Sequence, residues 1–417
     1  MKKSMFMVAL ATLTLASCSQ DEVVELKSNE IKFTMATEKM SRASSADGQG
    51  VFCNSVQMPN FQLTANYDGA VYIQNDQYAP NGSVWENVTN TRYWPENAAD
   101  KKVSFYASYN AKGNTVTSDG TDVTMDFDVA EAVADQVDLV YAAKLDQAIP
   151  AASVSGVDPV ALNFRHALSQ IVFQAKNTNN TLHIVVDAAA VGNVATTGTF
   201  TFPTESTDGM IENHVQHGDS ATTDNLDATY AAVKGLGTWE TEGVKRYEVD
   251  FADVTLDGET DDVFDLTVAV DEGLTYSKDA MLLLPTNNGE NKTNVDATYA
   301  TYANQAWNPA GNYVEGLEGK YNGTYLAVKC KIYNIADPSA GYVADDVLLH
   351  DGWAVIPAEF NWEQGKKYVY TFVFGNGNGG YEDDSENPRP VLVPMSFTVS
   401  VDDFLVKNEG HKDMETK

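Results

Sequence analysis

The chain has 417 residues, 43% hydrophobic and 10% aromatic, which is ample for packed cores and excludes a disordered chain. Its net charge of −32 excludes nucleic acid as a partner, because so acidic a chain repels phosphates and offers no basic patch. Three cysteines, Cys18, Cys53 and Cys330, are too few for the disulfide framework that small secreted domains need.

Lys2 and Lys3 precede an apolar stretch from Met5 to Leu15, then small residues and Cys18, the pattern of a secretory signal. The stretch is shorter than the about 20 apolar residues needed to cross a bilayer, so it predicts export and not a membrane-spanning helix. Leu15-Ala16-Ser17-Cys18 resembles the lipobox of bacterial lipoproteins. That resemblance implies that residues 1–17 are removed and that the thiol of Cys18 is acylated, which anchors the protein in the outer membrane through lipid. The other reading is a plain secretory signal with a cysteine at its cut. Removal of residues 1–17 takes two lysines and no acids from the net −32, leaving −34 on 400 residues. Ser19-Gln20-Asp21-Glu22 resembles the acidic surface-export signal of lipoproteins displayed on the outer face.

Residues 18–50 are expected to form a lipidated N-terminal segment with a removable strand and a cleavage loop; in it Ile31, Phe33 and Met35 alternate with Lys32 and Thr34, as in a half-buried strand. A polar loop follows, holding Arg42 among Ser41, Ala43, Ser44 and Ser45. Small exposed residues favour proteolysis, which makes the Arg42–Ala43 bond a candidate cleavage site. A solvated loop arginine fits the same residues. Alternation resumes at 103–109 (VSFYASY) and 123–129 (VTMDFDV), with one helical turn at 129–135. The stretch 150–159 (PAASVSGVDP) breaks the pattern and divides the chain into units of 51–159 and 160–406. Beyond it, strands are predicted at 168–175, 182–186 and 247–251. In YLAVKCKIY, Leu326, Val328, Cys330 and Ile332 share one face, so Cys330 reads as a buried thiol; a Cys53–Cys330 bridge would have to join distant segments. KKYVYTFVF at 366–374 is apolar on both faces and predicts a central strand. From 391 to 401 every odd residue is apolar: Val391, Val393, Met395, Phe397, Val399 and Val401. Pro394 confines that strand to an edge or a bulge. A polar tail spans 407–417. Short strands at intervals of about ten residues predict an all-β protein built of sandwiches.

Signals for chemistry are poor. Glu212, His214, His217 and Asp219 could ligate zinc, but the segment is loop-like and His-x-x-His lacks helical support. The acidic runs 257–262 and 382–384 lack EF-hand spacing and read as hairpin tips. GNGNGG at 375–380 leads into Tyr-Glu-Asp-Asp and not a helix, so it cannot cradle a phosphate. No nucleophile elbow occurs. The expectation is no catalytic residue, no metal, no cofactor and no enzyme activity.

YWP at 93–95 with VSFYASY, DQVDLVYAA at 135–143, NFRHALSQIVFQAK at 163–176, TGTFTFP at 197–203 and WEQGKKYVYTFVF at 362–374, in that order, resemble the fimbrillin family, the subunits of type V pili. The resemblance implies two transthyretin-like β-sandwich domains, lipoprotein export, and polymerisation by strand exchange after a trypsin-like protease cuts behind an N-terminal arginine. Carried onto this chain, cleavage after Arg42 frees Ile31, Phe33 and Met35 with the lipid. The strand from Val391 to Val401 then completes another pilus subunit, in a homo- or heteropolymer, by β-strand addition. An edge strand that stays with its own sandwich shows the same alternation. Host or glycan ligands follow as partners of a surface adhesin. From another class, a surface glycan-binding lipoprotein would stack sugars on exposed Tyr72, Tyr78, Trp85, Tyr93, Trp94, Trp307 and Tyr313.

Overall fold

A computed structural model describes residues 29–35, 58–96, 100–149, 152–153, 156–207, 235–257, 262–267, 280–286, 306–311 and 321–403. In the first part of the chain lie β1 (Phe33–Met35), β2 (Phe61–Tyr67), β3 (Ala70–Asn81), β4 (Val84–Asn87), β5 (Val103–Asn110), β6 (Val116–Ser118), β7 (Val123–Asp128) and β8 (Leu139–Gln147). Four short strands follow: β9 (Ala152–Ser153), β10 (Gly156–Val157), β11 (Val160–Leu162) and β12 (Arg165–His166). The rest are β13 (Ser169–Asn177), β14 (Leu182–Val194), β15 (Thr197–Thr201), β16 (Thr238–Glu242), β17 (Lys245–Asp257), β18 (Phe264–Asp265), β19 (Met281–Leu283), β20 (Tyr325–Asn334), β21 (Val347–Pro357), β22 (Lys366–Phe374), β23 (Tyr381–Glu382) and β24 (Met395–Asp403). The protein is all-β: among the described residues the one helical element is a 3-10 turn at Val133–Asp135.

Turn chemistry explains the first hairpin. Asp68 and Gly69 both take positive φ, 54° and 73°, and join Tyr67 to its partner Ala70, the backbone that an Asp-Gly pair favours between antiparallel strands. From there an eight-stranded sheet runs in the order β11-β1-β4-β3-β2-β5-β8-β12. It curls until β11 also touches β8. The sheet therefore encloses its own core of Ile31, Phe33, Phe61, Tyr78, Phe105 and Phe164 among others.

Two five-stranded sheets form a second layer pair. One is β18-β13-β22-β24 with β19 also on β13; the other is β17-β14-β20-β21-β23. Tyr368, Tyr370, Phe372 and Phe374 of β22 turn into the core between them, opposite Ile184, Val186, Val328 and Ile332. Val369 lies buried on the other face of β22, against Val172 and Ala280. This strand is flanked on both sides, parallel to β13 and antiparallel to β24, as its two apolar faces predict.

The chain does not change over cleanly at residue 160. β11 and β12 complete the first sheet, and a four-stranded sheet of order β16-β15-β7-β6 takes two strands from each side of that position. The larger core accordingly contains Tyr106, Val123, Met125 and Tyr141 from the first part beside residues of the second. At this junction His166 and Asp138 are buried with Nδ1 and Oδ2 2.5 Å apart. Arg165, also buried, donates to the carbonyls of Gly235 and Thr207.

One boundary needs correction. The alternation from Val391 to Val401 becomes strand only at Met395, because Pro394 has no N–H for the ladder and stands immediately before it. Val391 and Val393 are still buried, in a non-strand approach to β24.

Candidate strand-exchange sites

Ile31, Phe33 and Met35 all point inward and are buried, as alternation predicts. β1 pairs parallel to β11, from Phe33 opposite Val160 to Met35 opposite Leu162, and meets β4 antiparallel through Phe33 opposite Trp85. The ring of Phe33 stands edge-on to Phe61, Tyr78 and Phe105, with centroids 5.9, 5.1 and 5.2 Å away. Main-chain bonds beyond the strand are Ile31 N–H to Arg92 O and Val160 N–H to Lys32 O, each 2.8 Å, and Trp94 N–H to Asn29 O, 2.9 Å. Ile31 and β1 thus form a plug held by three inward side chains and by backbone pairing with β11 and β4. Each fully buried residue of this size contributes roughly 1.5–3 kcal/mol, against about 0.5–1.5 kcal/mol net for a main-chain hydrogen bond.

The solvent side of this plug was not legible as a site in the sequence. Lys32 forms ion pairs with Glu86 and, at 3.3 Å, with Glu30, and Asn81 Nδ2 donates to the second Glu86 oxygen at 2.7 Å. The Asn81 bond first, and then Lys32, holds the Glu86 carboxyl below its ordinary value; Lys32 is held above its own chiefly by Glu86. The 54 residues between Lys32 and Glu86 hide this clamp, since charge patterning reveals only neighbours in one element.

At the other end, β24 is an edge strand paired antiparallel with β22 from Phe374 opposite Met395 to Lys366 opposite Asp403. Opposed residues share a face, so Met395, Phe397, Val399 and Val401 lie on the core side. Their burial fades along the strand: Met395 is enclosed, Phe397 and Val401 are partly covered, with the Phe397 ring 6.0 Å from Tyr370, and Val399 is 49% exposed.

The glycine run at 375–380 cradles the start of this strand. Gly375 N–H donates to Pro394 O, Gly379 N–H to Met395 O, and Val391 N–H to Gly380 O. A Cβ at Gly377, where φ is 110°, would lie 2.6 Å from both Met395 O and Ser396 Cβ. The run bends the chain back closely enough for β24 to pack.

Other candidates are placed as follows. Cys330 is a free, buried thiol on β20, and burial pushes its pKa up. The aromatic platform proposed for sugars is largely absent: Tyr78, Trp85, Trp94 and Trp307 are buried, because they supply the core under β1 and a smaller core with Tyr321 and Tyr325. Tyr93 is exposed, and half-buried Tyr72 donates its hydroxyl to Tyr93 O at 2.6 Å. Cys18, Arg42, Ala43, Cys53, Glu212, His214, His217, Asp219 and Tyr313 lie outside the described residues. Among the described residues there is no group of three or more His, Cys, Asp or Glu side chains arranged to hold a metal, and no helix is long and apolar enough to cross a membrane.

A family model described as fimbrillin-like matches residues 34–387. The fimbrium subunit Fim1C of Phocaeicola vulgatus is 27% identical over 196 residues, 40% of this chain. The chain spans about half the length of that curated relative, 50%. Among solved structures, a fimbrial protein from Bacteroides vulgatus aligns with 90% of this chain and 99% of its own, at 14% identity and a TM-score of 0.48.

Proposed function

The chain belongs to the fimbrillin-like family, and from that premise we propose that it is a structural subunit of a bacterial surface fimbria, exported as a lipoprotein and assembled by protease-triggered strand exchange. The observation that carries this reading is β1. Three inward side chains fill the core beneath β11 and β4, two of them on a strand of only three residues. Were it removed, β4 would become an open edge and β11 would lose its ladder partner, beside an apolar groove that strand addition satisfies.

In this reading Cys18 carries the lipid that ties the precursor to the outer membrane. A trypsin-like protease cuts between Arg42 and Ala43, and the segment with Ile31, Phe33 and Met35 departs. Two sandwich units, whose strands interleave around residue 160, remain. The C-terminal segment, with Val391, Val393, Met395, Phe397, Val399 and Val401, is the donor to another subunit; its location at a sheet edge, with Val399 half out, supports its release. The fimbria serves adhesion to host or glycan ligands.

The test is limited digestion of the purified precursor with a trypsin-like protease. The expected result is one early cut behind Arg42, followed by ladders of oligomers that survive cold detergent. Cut protein that stays monomeric overturns the proposal.

A further inference from the structure

Glu30 and Lys32 belong to the segment that exchange would remove, whereas Glu86 and Asn81 belong to the wall that would stay. The incoming strand therefore meets a carboxylate that has lost its cation. Resting on the reading of β1 as exchangeable, we propose that Glu86 makes the groove charge-selective: its cognate occupant is a strand from a different subunit, apolar at alternate positions and bearing a lysine or arginine on the outward side next to Glu86.

The chain's own C-terminal strand shows what is selected against. Residues 395–399 read MSFTV and residues 31–35 read IKFTM. Aligned on Phe-Thr, Met395, Phe397 and Val399 take the inward places of Ile31, Phe33 and Met35, and Thr398 matches Thr34. The outward position beside Glu86 changes from Lys32 to Ser396. A shift of two residues in one direction brings another neutral residue, Thr398, and of four brings Ser400; the next is Asp402, a second negative charge. The inward face satisfies the groove in either case, so it supplies affinity without discrimination; the outward charge discriminates. Both Lys32 and Glu86 retain part of their exposure, 29% and 25% of the side chain. The preference is accordingly modest, about twofold to fivefold, and screened by salt.

The experiment uses the full chain cut behind Arg42, with the N-terminal segment labelled and its displacement followed by fluorescence anisotropy. Competitors are synthetic peptides of residues 29–36 and 393–401, each as it stands and with the outward residue exchanged, Lys32→Ser in the first and Ser396→Lys in the second. In both pairs the lysine peptide should displace the label about twofold to fivefold more effectively. The difference should vanish in 1 M salt and in the Glu86→Gln protein. On the uncut chain, Glu86→Gln should also accelerate hydrogen exchange of the residue 29–35 amides by a similar factor. If lysine and serine peptides displace equally, charge selection falls and strand exchange stands. If no peptide displaces the label, both fall. Unchanged amide exchange in Glu86→Gln likewise counts against the role of Glu86.

Discussion

Phe33 concentrates more of the first core than any other residue of its segment, since its ring meets Phe61, Tyr78 and Phe105 edge-on and its Cα pairs on both sides of the sheet. Phe33→Ala should destabilise the protein by about 3–5 kcal/mol, the sum of lost burial and an unfilled cavity, read as a fall in denaturant midpoint. Lys32→Ala at the neighbouring position should cost about 1 kcal/mol or less. The clamp around Lys32 also sets a pH dependence. Glu86 titrates below its ordinary 4.5 in the folded protein, so its contribution is complete above that value and is lost as pH falls through the folded pKa. Lys32 titrates above its ordinary 10.5, so its contribution is complete below that value and is lost as pH rises through the folded pKa. Amide protection of residues 29–35 should therefore be level between about pH 5 and pH 10 and fall in acid; protection that peaks near neutral pH would remove Glu86 from the account. Cys330 supplies a third check. Enclosed on β20, with its thiol pushed up by burial, it should resist thiol reagents in a Cys18→Ala, Cys53→Ser protein until denaturant is added.

Strands were legible wherever one face of a short segment meets a core, because a period of two is local information. Ile31, Phe33 and Met35, the four inward aromatics of β22 and the odd residues of β24 were all visible in this way. Partners were not. Parallel pairing of β1 with β11 and of β13 with β22 joins segments over a hundred residues apart, and alternation carries no trace of it. The exposed aromatic platform failed for a related reason: Tyr78 and Trp85 stand among polar neighbours in sequence, yet face Phe33 and Phe61 once the sheet curls. The glycine run at 375–380 carried no legible purpose because its partner, the start of β24, follows a further bend. That dependence is testable on the element. Gly377→Ala forces a Cβ to within 2.6 Å of Met395 O at a φ of 110°, which alanine avoids. It should destabilise the β24 end by at least about 1 kcal/mol and make residues 395–403 exchange hydrogen faster, while residues 29–35 are unaffected. Val399→Asp, by contrast, should be well tolerated in the isolated subunit, since that side chain is already half in solvent.

At the scale of the whole chain, the two cores are separate in composition but not in construction. The composition break at 150–159 suggests a place where the molecule could be divided, and a linker there would let each part fold alone. The strand pairings argue otherwise. A chain ending at residue 159 lacks β11, which flanks β1, and β12, which closes the other edge of the first sheet on β8. It also lacks β15, the partner of β7, and leaves Tyr106, Val123, Met125 and Tyr141 without the residues that cover them, among them Phe200 and Phe202. Exposing four large apolar side chains at roughly 1.5–3 kcal/mol each removes about as much free energy as an ordinary domain has to spare. A fragment of residues 29–159 should thus be expanded or aggregated, with weak near-ultraviolet circular dichroism and poor amide dispersion. The full chain should unfold in one transition seen alike by tryptophan fluorescence, which reports both cores through Trp85, Trp94 and Trp362, and by far-ultraviolet dichroism. Two resolved transitions, or a soluble fragment with sharp dispersed signals, would mean that the shared four-stranded sheet contributes little and that the first unit is autonomous. A single transition has a consequence for assembly: removing the β1 plug would weaken the whole subunit and not one half of it, so that occupation of the groove by a new strand would restore stability throughout the molecule.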